Sequence, residues 1–107
     1  MPVIAVSPAA PTTLTGFANA PMLAGPFSPT PGRPIHLTLS GTWQGMITLL
    51  RSADEGVSKH PLTIGGRSWG RFTGNVCEPV WEEQVDATRL FLAIDLESGQ
   101  VDYELAQ

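Results

Sequence analysis

Arg89-Leu-Phe-Leu-Ala-Ile-Asp-Leu-Glu-Ser-Gly-Gln-Val-Asp-Tyr-Glu-Leu105 is the stretch that decides the fold class. Leu90, Leu92 and Ile94 alternate with Arg89, Phe91 and Ala93. After a tight-turn signal at Glu97-Ser98-Gly99, Val101, Tyr103 and Leu105 alternate with Asp102 and Glu104. Period-two alternation sends successive side chains to opposite faces of a strand. The stretch therefore reads as a hairpin whose two strands each bury one face.

Toward the N-terminus the same grammar repeats. Ile35, Leu37 and Leu39 alternate with His36, Thr38 and Ser40, Gly41-Thr42 reads as a turn, and Met46–Arg51 is a second run of β-formers. Asp54-Glu55-Gly56 is a turn cluster. Leu62-Thr63-Ile64 leads into Gly65-Gly66, a short run covers Ser68 to Phe72, and Thr73-Gly74-Asn75 breaks the chain. Turn signals at such short spacing predict a mainly β body over 35–107, a small β-sandwich or barrel. Residues 79–96 carry a competing helical reading. Pro79 suits a helix start, Glu82 and Glu83 a first turn, and Trp81, Val85 and Leu92 fall near one face.

Residues 1–34 differ in kind. They hold eight of the ten prolines and one charged residue, Arg33. Proline fixes φ and removes a backbone donor, so neither helix nor central strand is expected, and the segment reads as an extended Pro-rich N-terminal arm. A disordered linker is polar, whereas this arm carries Val3, Ile4, Val6, Leu14, Phe17, Met22, Leu23 and Phe27. These eight are the expected protein-interface residues, together with Trp81, which precedes two acids. Trp43, beside Gly41 and Gly45, is expected in the core.

A 107-residue chain supports one domain. Its net charge is −4, its six cations are dispersed, and eight of its ten acids lie between Glu78 and Glu104. Nucleic-acid modules present a basic face, so no nucleic-acid partner is expected. The single cysteine, Cys77, excludes an internal disulfide and reads as a packing residue. No signal-peptide pattern and no apolar run of membrane-spanning length is present, which predicts a protein made in the cytoplasm with no membrane partner.

No catalytic group, metal site or cofactor is expected. His36 and His60 have no partners at ligand spacing. Glu82 and Glu83 are adjacent, so on a strand they point apart and cannot flank one bond. Asp102 and Glu104 share a face, but on the outward side of the last strand they read as solvated acids that discourage edge pairing. Asp54, Glu55 and Glu78 lack a spaced oxygen-ligand loop for calcium, and Gly65, Gly66 and Gly70 are too sparse for a phosphate loop.

Leu39-Ser40-Gly41-Thr42-Trp43-Gln44-Gly45, followed by Leu49-Leu50-Arg51-Ser52-Ala53-Asp54, resembles a pattern of small β-rich virion proteins of tailed phages and prophages. Phe72-Thr73-Gly74-Asn75, Glu78-Pro79-Val80, Glu82 and Ser98–Leu105 continue the resemblance across residues 35–107. Members carry an aromatic after Arg-Ser and a Gly-Gly turn after the Asp, where this chain has Ala53 and Glu55-Gly56. The resemblance implies a structural protein, and the arm points to a capsid decoration or cement protein. Its expected partners are the major capsid protein and copies of itself as a homo-oligomer on the capsid surface. A head–tail connector or tail component is the alternative within virion proteins. A carbohydrate-binding module of a host-attachment fibre, using Trp43, Trp69 or Trp81, is the alternative from another class.

Overall fold

The computed structural model describes residues 13–107, so Val3, Ile4 and Val6 lie outside the described residues. Eight strands form one antiparallel sheet: β1 (Thr13–Ala18), β2 (Met22–Phe27), β3 (Pro34–Ser52), β4 (His60–Ile64), β5 (Arg67–Trp69), β6 (Arg71–Phe72), β7 (Val76–Glu82) and β8 (Arg89–Ala106). Strands β3 and β8 pair along nearly their whole lengths, from His36↔Ala106 to Ser52↔Arg89. Strands β1 and then β2 run along the far side of β8. Strands β7, β6 and β4 line the far side of β3, and β5 lies beyond β4.

The alternation read from the sequence sets the core. Ile35, Leu37, Leu39, Ile47 and Leu49 of β3 are buried with Leu90, Leu92, Ile94, Leu96, Val101, Tyr103 and Leu105 of β8. The buried positions of β8 switch from even to odd across Glu97, which is the extra residue where the register shifts opposite Gln44 and Gly45. That bulge keeps both halves of β8 facing one core.

Two expected turns are instead creases within long strands. Gly41-Thr42 and Glu97-Ser98-Gly99 do not reverse the chain, because Thr42 pairs with Gln100, Trp43 with Gly99 and Gln44 with Ser98. The C-terminal stretch is thus half of a two-stranded ribbon and not a hairpin. Glycine is required at the crease: Gly41, Gly45 and Gly99 have φ of +113°, +142° and +87°. A Cβ at Gly99 would lie 2.1 Å from the Thr42 carbonyl oxygen.

The crease folds the ribbon over. Residues 34 and 51 would stand roughly 55 Å apart on a straight strand rising about 3.3 Å per residue. Yet Glu83, which follows the Pro34 partner Glu82 and accepts the Gly32 amide, bonds the Arg51 side chain. The two ends of β3 therefore meet. The Trp69 indole of β5 also donates to the Val80 carbonyl of β7. The result is the sandwich-like, all-β body anticipated from the sequence, made by folding one sheet upon itself.

The compositional break at residue 34 is not the edge of the folded body. Thr13–Ala18 and Met22–Phe27 are strands, and Ala18, Ala24 and Phe27 belong to the core. Proline is tolerated because β1 and β2 pair on one side only. Pro21 lies between them, and the cis Gly25–Pro26 bond sits where the β2–β8 register shifts. The helical reading of 79–96 also fails. Pro79 pairs with His36 in β7, and Ala87, at φ +64°, leads into β8.

Candidate protein-binding edge

Strands β1 and β2 form one lateral boundary of the body, and past Leu14 their outer sides meet no described strand. Phe17 is 57% exposed, Leu23 49% and Met22 39%. Even-numbered residues of β1 turn inward, so Leu14 is partly buried against the core and Ala18 is buried, while Phe17 stands on the outer face. A strand edge with open backbone groups and three large apolar side chains is a template for another chain. Of the expected interface set, Phe17, Met22 and Leu23 are exposed along this boundary, Phe17 beside Asp102 and Met22 and Leu23 beside Ile94 and Ala93 on the other side of the crease. Phe27 is removed from it: at 1% exposure it is a core residue, carried inward by the irregularity at Gly25-Pro26.

Trp81 stands elsewhere, on β7, and is half-buried. Its indole donates to Glu83 Oε1 at 3.0 Å. Arg51 grips the same carboxylate with Nε at 2.7 Å and Nη2 at 2.8 Å, and the Val85 amide donates to Oε2. Arg51 Nη2 also reaches the buried Thr88 hydroxyl. These donors hold the Glu83 carboxyl down at about 2, with the Arg51 hydrogen bonds the largest cause and burial opposing them. The carboxylate in turn raises the Arg51 guanidinium above its ordinary value. A cleft of about 360 Å³ opens beside this network, lined by Arg51, His60, Thr63, Trp81, Glu82 and Gln84 among others.

The charged residues fall into two territories. Residues 56–77 contain Lys59, Arg67 and Arg71 and no acid, whereas 78–107 contain eight acids and only Arg89 as a cation. Asp102 pairs across the sheet with Phe17 and Glu104 with Thr15, so both acids stand on the outer face beside the β1 edge. The strand that carries them is central and not an edge strand as expected, because β8 is flanked by β1 and β3.

Opposite this boundary, the β4–β5 hairpin turns at Gly65-Gly66, with φ of +61° and +82°, and β5 is exposed throughout. Ile64 and Trp69 there are 51% and 43% exposed. The sequence does not mark Ile64 as a contact residue, since it shares a strand face with the buried Leu62 and is left exposed at the end of β4 beside the turn.

Trp43 packs partly buried against the core, as expected, with its indole donating to Asn75 Oδ1. Cys77 is exposed beside Thr38 and is not a packing residue, because its side of β7 faces outward. Phe91, expected on the outward face, is covered by the 53–59 loop, with the Lys59 ammonium 5.0 Å from its ring centre. Ser52 and Asp54 organise that loop by bonding one another and the amides of Gly56 and Ser58. Glu82 is exposed and Glu83 buried, the opposite orientation anticipated for adjacent strand residues. Among the described residues no three His, Cys, Asp or Glu side chains are grouped to hold a metal ion. No protein-family model, characterised protein or solved structure matches the chain.

Proposed function

We propose that the chain is a structural protein-binding module, and specifically a capsid decoration protein of a tailed phage. Its partners in this reading are the assembled lattice of the major capsid protein and other copies of itself, on the surface of the virion. The observation that carries the reading is the exposed apolar edge at Phe17, Met22 and Leu23, which in the sequence follows an uncharged leader holding Val3, Ile4 and Val6. Apolar side chains on an open strand edge are a hazard in a free monomer and an asset at an interface. A shell repeats its binding surface many times, so a modest interface gains occupancy through neighbouring copies. Binding to the assembled lattice alone stabilises it by mass action.

The test is co-sedimentation with expanded shells of the capsid protein encoded alongside this chain. The full-length protein and a variant lacking residues 2–12 are compared. Shell binding by the full-length protein and its loss on truncation support the reading. Equal binding by both removes the leader from it, and no binding by either ends it.

The cleft beside Trp81 favours a second reading, a glycan-binding module. An aromatic ring beside Arg51, His60, Glu82 and Gln84 offers a stacking surface and the planar donors and acceptors that hydroxyl groups require. A panel of mono- and disaccharides read by tryptophan fluorescence decides it, and silence across the panel removes it.

A further inference from the structure

We infer that copies of this chain join head to tail, the β4–β5 hairpin of one copy seating on the β1–β2 edge of the next. The inference rests on the reading of that edge as a protein-binding surface and names a second copy as its occupant, leaving the leader for the shell.

Three observations converge. The sheet order puts β1 at one end and β5 at the other. Both boundaries expose large apolar residues: Phe17, Met22 and Leu23 on one, Ile64 and Trp69 on the other. The two differ in charge: Arg67 stands on the hairpin and Arg71 on the neighbouring β6, with Glu78 and Glu82 nearby, whereas Asp102 and Glu104 border β1. The Arg67 and Arg71 side chains form no hydrogen bond or ion pair with the described residues, where the single salt bridge is Arg51–Glu83. Asp102 and Glu104 flank Phe17 on the outer face, and Asp102 contacts only the Gln100 amide, at 3.4 Å.

Charge also disfavours the two-fold alternative. Pairing β1 with its own copy would bring both sets of Asp102 and Glu104 to one seam. Strands β1 and β2 carry no cation to offset them, and β8 carries only Arg89 at its far end. Like charges across a seam disfavour that pairing. The hairpin-to-edge contact instead opposes Arg67 and Arg71 to Asp102 and Glu104 and buries apolar residues from both sides. A contact between two different patches closes into a ring if its rotation permits and otherwise runs on as a filament.

The test uses the full chain in sedimentation velocity at low and high salt, with two charge-reversed variants, R67E/R71E and D102K/E104K. The wild-type protein is expected to assemble beyond a monomer, less so as salt rises. Each variant alone should associate roughly tenfold more weakly or worse, and an equimolar mixture of the two should regain assembly. Circular dichroism establishes that each variant is folded. Should one fail to fold, the neutral substitutions Phe17→Ser and Ile64→Ser must each dissociate the wild-type assembly. A monomeric wild-type protein, undiminished association of the folded variants, a mixture that stays apart, or assembly that survives both serine substitutions overturns the inference. Shell co-sedimentation separates the two readings. A charge-reversed variant that stays monomeric yet binds shells supports both, whereas a wild-type protein that binds shells as a monomer sinks the inference alone.

Discussion

Arg51 and Glu83, 32 residues apart in sequence, are joined by paired hydrogen bonds of 2.7 and 2.8 Å that tie the far end of β3 to the residue following β7. Glu83 is 3% exposed, and its carboxylate also receives the Trp81 indole and the Val85 amide. This one carboxylate fastens the folded-over sheet where its ends meet.

Glu83→Ala strips partners from Arg51, Trp81 and Val85 at once. Because Arg51 keeps 30% exposure, the expected loss is near the lower end for a broken buried pair, about 3 kcal/mol. Arg51→Ala should cost a similar amount by leaving Glu83 buried and unpaired. Urea unfolding with an unchanged m-value checks both, and losses below about 1 kcal/mol would show that the pair is not the fastening.

The same carboxylate sets an acid limit. Its folded value, about 2, lies below the ordinary 4.5, so the unfolded chain binds the proton more readily. Stability from this group is full above the ordinary value and is lost as pH falls through the interval toward 2. Asp54, also lowered, by the Ser58 amide first and then by Ser52, acts in the same direction from the surface. Urea midpoints measured down this interval should fall more steeply for the wild-type protein than for Glu83→Gln. Parallel curves would remove Glu83 as the cause.

Glycines at the crease and at the hairpin tip should respond differently. Gly99→Ala places a Cβ against the Thr42 carbonyl in a strand that cannot move aside, at an expected cost of about 3 kcal/mol or more. Gly65→Ala meets nothing within 4 Å and bears only the left-handed backbone term, about 1 kcal/mol. Thermal or urea unfolding of the two variants compares them directly, and equal losses would refute the crease.

Phe27 and Phe17 separate core from surface within the proline-rich segment. Phe27→Ala should destabilise by about 3–5 kcal/mol, since the ring is buried. Phe17→Ala should change stability by less than about 0.5 kcal/mol while weakening self-association. A silent Phe27→Ala would return residues 13–27 to the status of an arm.

Local alternation made the core of the long strands legible: Ile35, Leu37, Leu39, Leu90, Leu92, Ile94, Val101, Tyr103 and Leu105 are all buried as read. What separates a turn from a crease is not local. Gly41-Thr42 and Ser98-Gly99 each carry turn chemistry, and only their pairing with one another, across more than half the chain, turns both into a bend of a continuous ribbon. The proline-rich stretch misled for a related reason. Proline excludes a strand bonded on both sides and leaves an edge strand open, and β8 supplied the one side needed. Phe17, Met22 and Leu23, expected as contact residues, were left exposed by the fold. Phe27 was not, because the irregularity at Gly25-Pro26 changes which side of the strand faces inward. The Arg51–Glu83 fastening left no periodic trace in the sequence at all.

Because β8 is flanked by residues 13–27 on one side and 36–52 on the other, both β1 and β2 and the long β3 ribbon find their β8 partner only after every other described strand has been synthesised. Thr13 finds its place only when Ala106 exists. Such long-range closure places the chain among slow-folding β proteins, on the millisecond-to-second scale, with little to gain from early local structure. On the ribosome the strands that flank β8 stay without their shared partner until β8 itself has been translated. In that interval the apolar edge is open to any neighbouring nascent chain, so crowded synthesis favours mispairing as well as assembly.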